Sequence, residues 1–329
     1  MRAKMMMQPI VFVIVFVRAM FLLEPKKTMR ANMGVQPKLT LRANGGMQST
    51  IALRHPTPPC NPKQEVICVE LGSGRDIRYL IENFYDIQKL RIETYNRIVC
   101  YIKENAEKVK EEVSEGAREL IEKKKYAEFV KKYVLTEKIN ISDVKNLVWY
   151  HNQLYETEKG LYKRIDSWSR NHPLRREFLN HVKGIGAVLS SGIIAWLCDP
   201  ILKADKVSQL WSYCGLAPNQ ERRKGEKVSY NPKVKVLCWK IGQSFIKFRC
   251  FGRRLYLDFR AYIEKREPEW NALHHHNWAR RKVTKLFLAA VWEKWRRMND
   301  LPVSEPYAIS ILGHAEKVRP EDWMEVGVR

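Results

Sequence analysis

No proline occurs between Gly72 and Asn171, and apolar residues recur through that stretch at three-and-four spacing. Such a run can continue as helix, because nothing in it removes a backbone donor or forces a turn. Ile77, Leu80, Ile81, Phe84, Ile87, Tyr95, Ile98, Ile102, Val109 and Val113 mark a first stripe from Asp76. Val144, Leu147, Val148, Leu154, Tyr155, Leu161, Tyr162, Ile165 and Trp168 mark a second, with Ser142 as the expected N-cap. Lys and Glu dominate from Lys103 to Lys125, which reads as a charged connector. The expectation is an all-α protein in which residues 73–170 form a long antiparallel helical hairpin or coiled coil. Such a stripe is a packing seam before it is a ligand site, and it offers a route to a homo-oligomer.

Asn171-His-Pro173 ends the second stripe, and a compact helical domain is expected over 171–300. Its centre is Val182-Lys-Gly-Ile-Gly-Ala-Val188. Glycine tolerates positive φ and close approach of another chain. The helix that follows opens with unpartnered backbone N–H groups, which suit an anion. The pattern reads as a helix-hairpin-helix, which grips a phosphate backbone without reading bases. The alternative is a tight turn between packed helices. The helix after the bend is expected to stop at Asp199-Pro200, and the next to close at Gly215.

Charge narrows the partner. Lys and Arg number 59 against 36 Asp and Glu, a net +23. An imbalance of that size argues for a polyanion, nucleic acid before membrane. From Glu221 to Arg254 eleven basic residues face only Glu221 and Glu226, with Trp239, Phe245, Phe248 and Phe251 between them. The aromatics read as core. Arg222, Arg223, Lys224 and Lys227, with Lys183, Gly184, Ile185 and Gly186 of the bend, are the candidate DNA-binding residues.

Other features exclude more than they assign. The seven cysteines have no Cys-x-x-Cys pair, which fits reduced thiols in a cytoplasm. His274-His-His276 places adjacent residues on different helix faces, so no metal or other cofactor is expected in this chain. Residues 1–72 carry a short repeat (Met29-Arg-Ala-Asn echoes Met1-Arg-Ala-Lys), an apolar run Ile10–Val17 and a Pro-rich linker at Pro56–Pro62. They are expected to be largely irregular, apart from a short strand at Glu65–Glu70. A spanning helix needs about 20 apolar residues, and Arg18 would fall inside this one, so a membrane is not the expected partner. Residues 301–329 read as an extended tail.

Lys183-Gly-Ile-Gly186, then Cys198-Asp199, then Tyr213-Cys-Gly-Leu-Ala-Pro218 resemble the C-terminal domain of the DEDD-type insertion-sequence transposases, relatives of the Piv invertase. The likeness covers roughly Asp76 to Arg297. It implies a DNA-binding protein of a mobile element, acting in DNA transposition or recombination, and a guide RNA as a further partner. In that family a coiled coil joins this domain to an RNase-H-like nuclease with four acidic ligands for Mg. The first seventy residues hold no such acidic set, so a truncated or degenerate transposase is the expectation. The family also places a nucleophilic serine shortly after Gly-Leu-x-Pro, and here that position reads Arg222-Arg-Lys-Gly225. Ser229 is the nearest hydroxyl and the candidate catalytic residue. The alternative is a non-catalytic nucleic-acid-binding regulator, or a partner of an intact transposase.

Overall fold

A computed structural model describes residues 74–218, 224–304 and 318–324. The repeats, the apolar run, the Pro-rich linker and the short strand expected before Gly74 lie outside these residues, as do Arg222 and Arg223. The described residues are all-α, and the one β-feature among them is an isolated bridge between Val182 and Met324.

Helix α1 spans Gly74–Glu104 and helix α5 spans Lys145–Arg170. Their apolar stripes face each other. Gln88 and Arg91 both reach Glu158, Tyr95 lies against His151, and Tyr101 bonds Asp143. Partner numbers fall as the first numbers rise, so the two helices run antiparallel. Ser142 does not cap α5. It opens a single 3-10 turn at Ser142–Val144, and its hydroxyl meets the neighbouring Asp143.

The expected charged connector is itself folded. It contains α2 (Ala106–Glu112), α3 (Glu115–Glu122) and α4 (Tyr126–Phe129), the last running into a π-turn at Val130–Val134. Val109, Val113, Ala117, Ile121, Phe129, Val130 and Val134 bury themselves against Ile98, Ile102 and Val148. These apolar residues are widely spaced among lysines and glutamates. They still supply one inward position per turn, enough to close a small second core.

The other end of the α1–α5 pair enters the main core. Ile77, Ile81, Phe84 and Ile165 pack there with α6 (Pro173–Glu177), α7 (Ala187–Lys203), α8 (Val207–Tyr213), α9 (Pro232–Lys247), α10 (Phe251–Arg266) and α11 (Ala272–Met298). Helix α7 is apolar on nearly every side and forms the centre. It does not stop at Asp199-Pro200 but continues to Lys203. Its last carbonyls have partners elsewhere. Buried Arg296 donates to Ile201, Leu202 and Ala204, and Trp292 Nε1 donates to Ala204. A guanidinium at a helix C-terminus also meets the negative end of the dipole.

Helix α8 closes as expected. Gly215 has φ +67°, its N–H bonds Ser212 O, and Leu216 N–H bonds Trp211 O. This is the Schellman pattern, in which glycine carries the left-handed turn. Asn231 then caps α9 by accepting from the amides of Lys233 and Val234, with Pro232 in the first position. The short segment 318–324 returns to the main core. Trp323 is 1% exposed and rests on Phe245, Phe251 and Phe287.

Candidate nucleic-acid interface

Val182 begins the bend and is held by its bridge to Met324. Ile185 N–H bonds Val182 O at 3.1 Å, closing a four-residue turn, and Gly184 takes φ +97° within it. A residue with a Cβ is strained there. Gly184 is also enclosed, since a Cβ would sit 3.5 Å from Phe245 and 3.6 Å from Phe248. The Ser244 hydroxyl donates to Gly184 O. Ile185 is buried, while Lys183 and Gly186 face solvent.

Gly186 is different in kind. Its φ is −84° with extended ψ, and a Cβ would meet no described atom within 4 Å. Neither a positive φ nor packing requires glycine here, although as the N-cap of α7 it is a favoured residue. Gly186 O accepts from Ser190 N–H at 2.9 Å, and no side chain caps α7. The amides of its first turn therefore have no intrahelical acceptor.

A buried polar network fixes this terminus. Arg175 donates to Asp166 Oδ1 (2.5 Å), Asp166 O (3.0 Å), Ser169 Oγ (2.6 Å) and Asn180 Oδ1 (3.1 Å). The Ser169 and Ser191 hydroxyls lie 2.7 Å apart, and Ser191 Oγ donates to Ala187 O. The end of α5, the turn before the bend and the first turn of α7 are thus joined through one guanidinium.

The link from α9 to α10 lies beside the bend. Lys247, Phe248 and Arg249 are exposed there, and α10 begins with Arg253 and Arg254 in its first turn. Arg249, Cys250, Phe251, Arg253, Arg254 and Leu257 line an open cleft of about 370 Å³. Among the described residues, no carboxylate forms an ion pair with Lys247, Arg249, Arg253 or Arg254. The side chains expected in the core divide. Phe245 is fully buried, Phe251 is partly buried, and Phe248 and Trp239 are about half exposed.

The predicted site residues do not converge. Lys183, Gly184, Ile185 and Gly186 sit by the C-terminal end of α9. Lys224, Lys227 and Ser229 are exposed on the loop that enters its N-terminal end, where Asn231 N–H bonds Tyr213 O. From Asn231 to Ser244 the helix rises about 20 Å at 1.5 Å per residue. No hydrogen bond joins Ser229 to a histidine or carboxylate among the described residues. Those residues contain no group of three His, Cys, Asp or Glu able to hold a metal ion. No described helix is long and apolar enough to cross a membrane.

Arg249, Arg253 and Arg254 belong to the basic run 221–254, and the fold brings Phe248, next to Arg249, against Gly184. No protein-family model, curated protein or solved structure matches this chain.

Proposed function

We propose that this chain binds the sugar–phosphate backbone of DNA, with the bend Lys183–Gly186 as its grip and Arg249, Arg253 and Arg254 as flanking cations. The observation that carries the reading is Gly186. It is exposed, a Cβ there would meet no described atom, and it is the N-cap of a helix whose first-turn amides have no intrahelical acceptor and no side-chain cap. A phosphate can approach such a terminus closely. The arginines beside it supply charge that no described carboxylate neutralises.

In this reading Val182 to Val188 act as a helix-hairpin-helix, and the α1–α5 pair serves as a coiled-coil spacer or a dimer seam. The protein is then a DNA-binding member of the transposase type, working on mobile-element DNA in the cytoplasm. The alternative is a non-catalytic regulator or partner of an intact transposase. The exposed position of Ser229, with no described base hydrogen-bonded to it, favours binding without strand cleavage. Titrating labelled duplex into the full chain at several salt concentrations tests the reading. Affinity should fall steeply and linearly on a log–log plot as counterions are released. A flat salt response, or cleavage with Mg that is lost in Ser229→Ala, overturns it.

A further inference from the structure

Helix α11 neutralises its arginines at one end and leaves them bare in the middle. Arg297 pairs with Glu293 at 2.6 Å, and buried Arg296 reaches Asp205 and four carbonyls. About three to five turns earlier stand Arg280, Arg281, Lys282 and Lys285, none of which forms an ion pair with a described carboxylate. Aromatic faces take that place. Arg280 lies over Trp239 at 5.4 Å, Lys282 over Trp278 at 5.1 Å and Lys285 over Trp211 at 4.2 Å. Trp239 is 49% exposed. The Trp211 indole is fixed by its N–H, which donates to Lys285 O.

Two of these cations are held below their ordinary pKa. Burial, and then Arg281, lower Arg280 to about 10. Burial, then Lys282 and Arg281, lower Lys285 to about 8. A polyanion would supply the counter-charge that no described carboxylate gives these cations. A face that offers cations beside the exposed indole of Trp239 suits a strand whose phosphates and unpaired bases are accessible together. A duplex presents its phosphates but keeps its base faces stacked.

We infer that the Trp239–Arg280–Arg281–Lys285–Trp211 face of the main core binds single-stranded nucleic acid, as a site separate from the bend. The inference does not depend on whether the bend grips a duplex. The experiment is anisotropy of the full chain with labelled oligothymidylate and with labelled duplex. Arg281→Glu/Lys285→Glu should weaken single-strand binding at least about tenfold and reduce its salt slope by about 1 to 2. Trp239→Leu removes one exposed stacking face and should weaken it about tenfold, with duplex affinity retained. Trp239→Leu also serves as the test should the charge reversal disturb folding. Unchanged single-strand affinity in these variants overturns the inference, as does an equal loss on duplex. Arg253→Ala/Arg254→Ala, beside the bend, separates the two proposals: it should lower duplex binding and leave the single strand bound.

Discussion

The Ser244 hydroxyl donates to the carbonyl of Gly184, so the last turn of α9 holds the left-handed corner of the bend in place. The same turn supplies Phe245 and Phe248, which enclose Gly184. The corner is therefore set by a helix sixty residues away in sequence. Ser244→Ala should destabilise the fold by about 1 kcal/mol, the usual net worth of one hydrogen bond. Gly184→Ala should cost about 1 to 2 kcal/mol, because alanine is strained at positive φ. Urea unfolding measures both. Losses near zero for the pair would mean that the corner forms without either support.

Gly186 makes a different prediction. Valine fits its extended backbone, and the space around its Cα is open to described atoms. Gly186→Val should cost about 1 kcal/mol, because valine is a poorer N-cap than glycine. Duplex affinity should fall about tenfold, since a branched side chain would stand between the α7 amides and a phosphate. Comparing this variant with Gly184→Ala separates a folding defect from a binding defect. Full retention of affinity in Gly186→Val excludes the α7 terminus as the grip.

Arg175 is the keystone of the polar network beneath that terminus. Its side chain is 9% exposed and its partner Asp166 is 17% exposed. Arg175→Met should cost about 3 kcal/mol, because Asp166, Ser169 and Asn180 lose a shared donor in a largely dry site. Arg175→Lys should recover only part of this, since an ammonium cannot span the same forked set. Equal stability of the lysine variant and the wild type would show that charge alone matters here.

How much of this could be read beforehand depends on the residue. The seam of α1 and α5 was legible because Ile77, Ile81, Ile98 and Ile102 keep helical spacing without a proline. The small core at the far end was not, because Val109, Ala117 and Ile121 are isolated among charges and local composition favours a linker. The extension of α7 past Pro200 was hidden because its cause, Arg296, lies on another helix. The bend itself was legible from Gly-Ile-Gly. Its cationic surroundings were not, because charge density along the chain does not say which end of α9 a loop occupies. Lys224 and Lys227 are as basic as Arg249 and Arg254, and they lie at the opposite end of α9 from the bend.

His172 should make stability depend on pH. It is 4% exposed, packs on Trp295 at 5.1 Å between ring centres, and its Nδ1 has no described partner. Burial lowers its pKa from 6.5 to about 4, so the folded protein holds it neutral. Between those values the unfolded chain binds a proton that the folded chain refuses. Stability therefore rises with pH across that interval, is fully present above 6.5 and declines as pH falls toward 4. The whole effect is about 3 kcal/mol at about 1.4 kcal/mol per pH unit. His172→Phe keeps a ring against Trp295 and removes the titration. Carboxylates protonate in both proteins at the acidic end, so the wild-type minus variant difference is the quantity to follow by urea unfolding. That difference should shift against the wild type as pH falls from 7 to 5. Parallel curves for the two proteins would show that this imidazole charges as freely in the fold as outside it.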